Sequence, residues 1–142
     1  MEYQNLLKML KVYANNIQIL HRHVVGSNWF STHKLLEDYY EHVQADLDSL
    51  VEVGLSIEID EPTLLQSLDS YKELEIKNRS VVDSYKIVIG YFNDIIAQIN
   101  RVEIDGEGSN DVVNLLQEKQ TYYRVEANYK IFRATIEDDD IE

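Results

Sequence analysis

Residues 20–54 read LHRHVVGSNWFSTHKLLEDYYEHVQADLDSLVEVG and concentrate the side chains able to bind a hard metal ion at helical spacing. After Gly26, Ser27 and Asn28 there is no Gly or Pro before Gly54, so one helix is expected from about Trp29 to Val53. It carries His33, Glu37, Asp48 and Glu52. At about 100° per residue, with His33 as zero, Glu37 falls near 40°, Asp48 near 60° and Glu52 near 100°. All four share one face. Along the axis, however, Asp48 lies roughly 22 Å beyond His33, too far for both to hold a common ion.

The spacing resolves if His33/Glu37 and Asp48/Glu52 are two i, i+4 pairs set about a midpoint near His42 and Val43. A second copy packed antiparallel across a two-fold axis there brings the first pair of each chain to the second pair of the other. His21 ends the preceding helix, and in an antiparallel hairpin it stands at the height of His33 across the turn. The expected ligand set is therefore His21, His33 and Glu37 of one chain with Asp48 and Glu52 of its neighbour. Two imidazoles and three carboxylates suit iron, manganese or zinc, and the chain has no cysteine for a soft thiolate site. The Glu-x-x-His pair of ordinary di-iron bundles is absent, because Gln18, Leu20, Phe30 and Tyr39 precede the histidines by three.

Leu20-His21, Val24, Gly26, Phe30, His33, Glu37, Asp48 and Glu52 together resemble the signature of the Dps proteins, the mini-ferritins, with the intervals between all five family ligands kept. The resemblance runs over most of the chain. Arg22 stands where the family has Trp, Glu37 where Asp is commoner, and Lys130 near a customary aromatic position. It implies an all-α, ferritin-like four-helix bundle that assembles through a two-fold dimer into a dodecamer. It also implies a ferroxidase that oxidises Fe(II) with hydrogen peroxide or oxygen and stores ferric oxide, in protection against oxidative stress. Iron is the expected metal, with zinc or manganese as substitutes. Glu52 is the expected bridging carboxylate, flanked by His21 and Asp48 and by His33 and Glu37. If subunits meet around three-fold axes as in that family, Asp105, Glu107, Asp111 and Glu118 line an entry pore; otherwise they are ordinary acids near helix ends.

Elsewhere the chain reads as one domain over residues 1–142. A first helix is expected over Glu2–Val24, with Leu6, Met9, Leu10, Tyr13, Ile17, Leu20 and Val24 as its core stripe. Asp60, Glu61 and Pro62 suggest the start of a short helix reaching Leu68, within a long crossover that lets the second and third long helices run parallel. The third spans about Ser80–Val102, a turn follows over Asp105–Asn110, and a last helix covers about Asp111–Ile136 before an acidic tail. No strand is expected. His23 and His42 read as surface or interface residues, His42 facing its own copy at the two-fold. Most tyrosines read as core, with Tyr39, Tyr40, Tyr122 or Tyr123 as alternative electron carriers.

The net charge of -13 opposes a phosphate-binding surface and favours cations. The first helix begins almost at the first residue, so a Lys-rich DNA-condensing tail and DNA binding are not expected. Neither a signal peptide nor an apolar run of transmembrane length occurs, which gives a cytoplasmic expectation. Two other functional classes stay open: an assembly protein with a weak or structural metal site, and a nucleoid-binding protein.

Overall fold

The computed structural model describes residues 1–106 and 110–136. Helix α1 (Glu2–His23) is its centre, packed against the later helices on several sides, and all seven residues of the expected stripe are buried. Glu2 in its first turn and His21, Arg22 and His23 in its last oppose the helix dipole favourably. The chain then leaves the helix at Val24, in extended conformation, and reverses through Gly26 at φ +108° and Asn28 at φ +65°. Glycine takes the first of these without a Cβ clash, and Asn is among the few residues that tolerate the second.

Helix α2 (Trp29–Ser56) runs back along α1 and ends three residues beyond the expected Val53. Gly54 does not stop it. A Cβ there would meet the Tyr3 ring at 3.0 Å, and Tyr3 also donates its hydroxyl to the Leu50 carbonyl at 2.6 Å. Gly54 is therefore a packing glycine, and the helix stops where Glu58 turns left-handed at φ +63° and Ile59 N–H bonds to the Gly54 carbonyl at 2.8 Å.

The short helix α3 (Leu64–Ser70) starts later than the Asp60-Glu61-Pro62 reading implied. Thr63 is its cap: the Thr63 hydroxyl accepts from Gln66 N–H at 3.1 Å while Gln66 Oε1 accepts from Thr63 N–H at 2.9 Å. This reciprocal pair satisfies two helix-end donors, which a proline cannot do. The crossover then returns to the level of the first turn. There β1 (Val24–Val25) and β2 (Arg79–Ser80) form a two-residue parallel pair, too short to show alternation in the sequence.

Ser80 caps α4 (Val81–Asp105) by accepting from Asp83 N–H, and Gly106 ends it at φ +71°, three residues past the expected Val102. Gln98 of α4 bonds to Glu2, Asp94 to Tyr13 and Tyr91 to Asn16, so α4 is antiparallel to α1 and hence parallel to α2. The last helix is not continuous as expected. It comprises α5 (Asn110–Val125), a π-helical turn (Glu126–Lys130) and α6 (Ile131–Ala134). The extra residue in a π turn widens the helix, and here it does so where Glu126 and Ala127 enter the interior. Part of the expected 105–110 turn, with Glu107, and the acidic tail lie outside the described residues. The observed fold is thus the expected all-α, ferritin-like four-helix bundle with a short helix in the long crossover.

Asn16, 1% exposed, holds the crossover in place. Its amide donates to the Lys72 carbonyl at 3.1 Å and to Tyr91 Oη at 3.0 Å, and its Oδ1 accepts from Leu74 N–H at 2.9 Å. Replacing Asn16 by Leu leaves main-chain groups of residues 72 and 74 without partners. A loss of about 2–4 kcal/mol is expected in urea denaturation at fixed protein concentration. A loss below about 1 kcal/mol would show that the crossover is anchored elsewhere.

Candidate metal centre

The turn over residues 24–28 sets His21 and His33 ring against ring, with centroids 3.9 Å apart and planes 20° apart. Each imidazole bonds to the other residue's main chain: His21 Nδ1 lies 2.8 Å from the His33 carbonyl oxygen, and His33 Nδ1 lies 2.7 Å from that of His21. A carbonyl only accepts, so both Nδ1 atoms carry the proton. In the neutral ring this tautomer leaves the lone pair on Nε2, the form in which imidazole ligates metal. The two rings are half-buried, and the edge of Trp29 packs on His33 at 5.6 Å between centroids.

Glu37 stands one helical turn after His33 with its side chain exposed. Asp48 and Glu52 are also exposed, at the other end of α2, where they line an open groove of about 500 Å³ together with Lys11, Tyr40, Leu47 and Val51. The structure therefore brings His21 and His33 together, puts Glu37 beside them in sequence register, and leaves Asp48 and Glu52 remote. Among the described residues, no three His, Asp or Glu side chains of one chain converge on a common point. Asp105, Asp111 and Glu118 are exposed, Asp105 closing α4 and Asp111 in the first turn of α5.

His42 is placed differently from the expectation that it faces its own copy. It points to α5, stacked on Tyr122 at 3.4 Å between centroids, with Nε2 3.2 Å from Asp46. The reason is angular: at about 100° per residue His42 lies opposite His33 on α2. It belongs to a buried network that the sequence reading missed. Asp46, 5% exposed, accepts from Lys119 Nζ at 2.8 Å and from the Tyr123 hydroxyl at 2.6 Å. A nearby pair joins the Tyr39 hydroxyl to Glu126 Oε1 at 3.1 Å. The available signal was Asp46 standing between Val43 and Leu50 at core spacing, a carboxylate in an apolar stripe.

Burial pushes the Asp46 carboxyl up, but hydrogen bonds from His42, Lys119 and Tyr123 and the Lys119 charge outweigh it and hold it below its ordinary value. A carboxyl depressed in the folded state stabilises above its unfolded pKa of about 3.9, and that stabilisation is lost as pH falls through the folded value. Lys119→Met removes the main compensating charge from a buried carboxylate. It is expected to cost about 3 kcal/mol at pH 7, with a penalty that shrinks as Asp46 protonates in the acid range. Urea melts from pH 7 to pH 3 check this, and a pH-independent penalty would contradict it.

No family model matches the sequence, and no curated protein matches it either. Solved structures do match by shape. The antigen TpF1 of Treponema pallidum superposes with a TM-score of 0.87 at 18% identity, covering 96% of this chain and 90% of that one. Dps from Staphylococcus aureus gives 0.85 at 23% identity over 96% and 94% of the two chains. A Dps protein from Bacillus brevis gives 0.84 at 19% identity over 95% and 93%. The chain has the fold of Dps proteins. Among the described residues no helix is long and apolar enough to cross a membrane.

Proposed function

We propose that this protein is a mini-ferritin of the Dps type, which binds Fe(II) at sites shared between two-fold-related subunits, oxidises it with hydrogen peroxide or oxygen, and stores the ferric product. The observation that carries this reading is the clasp between His21 and His33. It engages both Nδ1 atoms and leaves both Nε2 atoms for a ligand at one end of α2, while Asp48 and Glu52 stand on the same helix roughly 22 and 28 Å beyond His33, at the distance an antiparallel copy closes. The donor set of two imidazoles with Glu37, Asp48 and Glu52 fits a divalent first-row metal.

In this reading iron is the substrate. His21 with Asp48 and His33 with Glu37 hold two ferrous ions, and Glu52 bridges them. Two Fe(II) give one electron each to a peroxide, whose O–O bond breaks to two hydroxide ions, so no hydroxyl radical is released. The clasp bonds hold both imidazoles in orientation while the ions arrive, and the -13 charge draws cations to the particle. Assembly into a dodecamer and protection against oxidative stress belong to this reading.

A divided site makes a distinctive prediction. His33→Ala/Glu37→Ala and Asp48→Ala/Glu52→Ala chains are each expected to oxidise iron no faster than the protein-free control. Unfolded together and reassembled in equal amounts, they should regain about one quarter of the wild-type rate, because half the dimers are mixed and each mixed dimer has one intact site. No recovery in particles of normal size would contradict the shared site. The exposed side chain of Arg22, next to His21, favours the alternative of an assembly protein with a weak structural site. Cobalt(II) separates occupancy from chemistry: quenching of Trp29, the single tryptophan, is expected on titration and should vanish in His33→Ala. Quenching without iron oxidation would support the alternative.

A further inference from the structure

Among the described residues, two carboxylate residues are buried inside the bundle apart from the ligand set, Asp46 at 5% and Glu126 at 6% exposure. Asp46 is matched by Lys119, whose side chain is 15% exposed. Glu126 differs: its Oε1 takes the Tyr39 hydroxyl proton in a 3.1 Å bond, while its Oε2 meets Lys130 Nζ at 3.1 Å from a side chain 60% exposed. Tyr39 is 1% exposed, edge-on to Phe92 at 5.2 Å between centroids. Its hydroxyl is the donor in the bond to Glu126, so the phenol holds the proton there.

A buried phenol in that state can give up an electron only if its proton leaves with it, because a phenol radical cation would be an unpaired charge in a low dielectric. Glu126 is one hydrogen bond away and can receive that proton. The transfer turns a negative buried pair neutral. At Tyr123 the same transfer to Asp46 would take the counterion from buried Lys119, so the two pairs are not equivalent. Along α2, Tyr39 stands roughly 3 Å beyond Glu37 and 9 Å beyond His33 in axial rise, on the core-facing side of the helix.

We infer that Tyr39 and Glu126 form a proton-coupled one-electron donor pair that supplies the missing electron when peroxide meets a centre holding a single ferrous ion. The inference rests on the mini-ferritin reading for its source of oxidant. Peroxide needs two electrons to break its O–O bond cleanly, and a lone Fe(II) supplies one. The balanced step is Fe(II) + H2O2 + Tyr39 phenol + Glu126 carboxylate → Fe(III) + 2 hydroxide + Tyr39 phenoxyl radical + Glu126 carboxylic acid. Iron and Tyr39 are oxidised, peroxide is reduced, and the phenolic proton ends on Glu126.

The test begins with the assembled, iron-free protein, using flash-generated tris(bipyridine)ruthenium(III) as one-electron oxidant and electron paramagnetic resonance as readout. Exposed tyrosines such as Tyr129 react too, but their radicals are lost by coupling, whereas a buried radical persists. A long-lived phenoxyl signal is expected that forms more slowly in D2O. It should vanish in Tyr39→Phe and stay in Tyr123→Phe. In Glu126→Gln, which keeps an acceptor oxygen but loses the base, it should fall by about tenfold or more. A persistent signal unchanged in Tyr39→Phe or Glu126→Gln, no isotope effect, or no persistent signal at all would overturn the pair. The second arm adds one ferrous ion per paired site, then peroxide. A radical in the first arm with none in the second keeps the donor pair and overturns the iron reading that feeds it.

Discussion

The reversal of the chain between Val24 and Asn28 is the constraint on which the rest depends. It needs positive φ at Gly26 and Asn28, and those residues supply it at little steric cost. Once α1 and α2 lie antiparallel, His21 faces His33, β1 is held where the returning crossover can pair with it, and α4 starts beside the same turn. The Tyr85 hydroxyl reaching Thr32 at 3.2 Å fastens the starts of α4 and α2 together. One end of the bundle is therefore built from a few residues whose conformations limit one another.

Most of the helical framework was readable because apolar spacing speaks directly about burial. The stripe of α1 is inside as read, Tyr85, Val88, Phe92, Ile95 and Ile99 of α4 are buried, and α2 presents Leu36, Tyr39, Val43, Leu47 and Leu50 inward. Boundaries were less readable, for identifiable reasons. Gly54 reads as a stop but accommodates the ring of Tyr3, a contact 51 residues away that no local pattern encodes. The Thr63/Gln66 capping box was present in the sequence, yet the neighbouring proline was the louder signal. The π turn has no mark in residues 126–130.

At the candidate centre, helix arithmetic separated the two ligand pairs without any coordinates, since rise per residue alone forbids one copy from joining them. The tautomer of the histidines was out of reach, because it depends on carbonyls whose direction only the folded turn sets. Asp46 and Glu126 were missed because the partners that draw them into the interior, across α2 and the last helix, lie 73 to 87 residues away. Buried ionic networks of this kind are weak evidence of net stability, since desolvation offsets much of the attraction. Here they join α2 to the last helix, Asp46 to Lys119 and Tyr123, and Tyr39 to Glu126.

The clasp between His21 and His33 uses only main-chain carbonyls as acceptors. Among the described residues no third side chain hydrogen-bonds to these two Nδ1 atoms, and Trp29 only packs against His33. The vulnerability lies in length: inserting or deleting one residue between Val24 and Asn28 changes the turn that sets His33 against His21 and parts the rings. The orientation of this pair thus depends on the length of the turn and on Gly26 and Asn28 within it rather than on a side-chain acceptor.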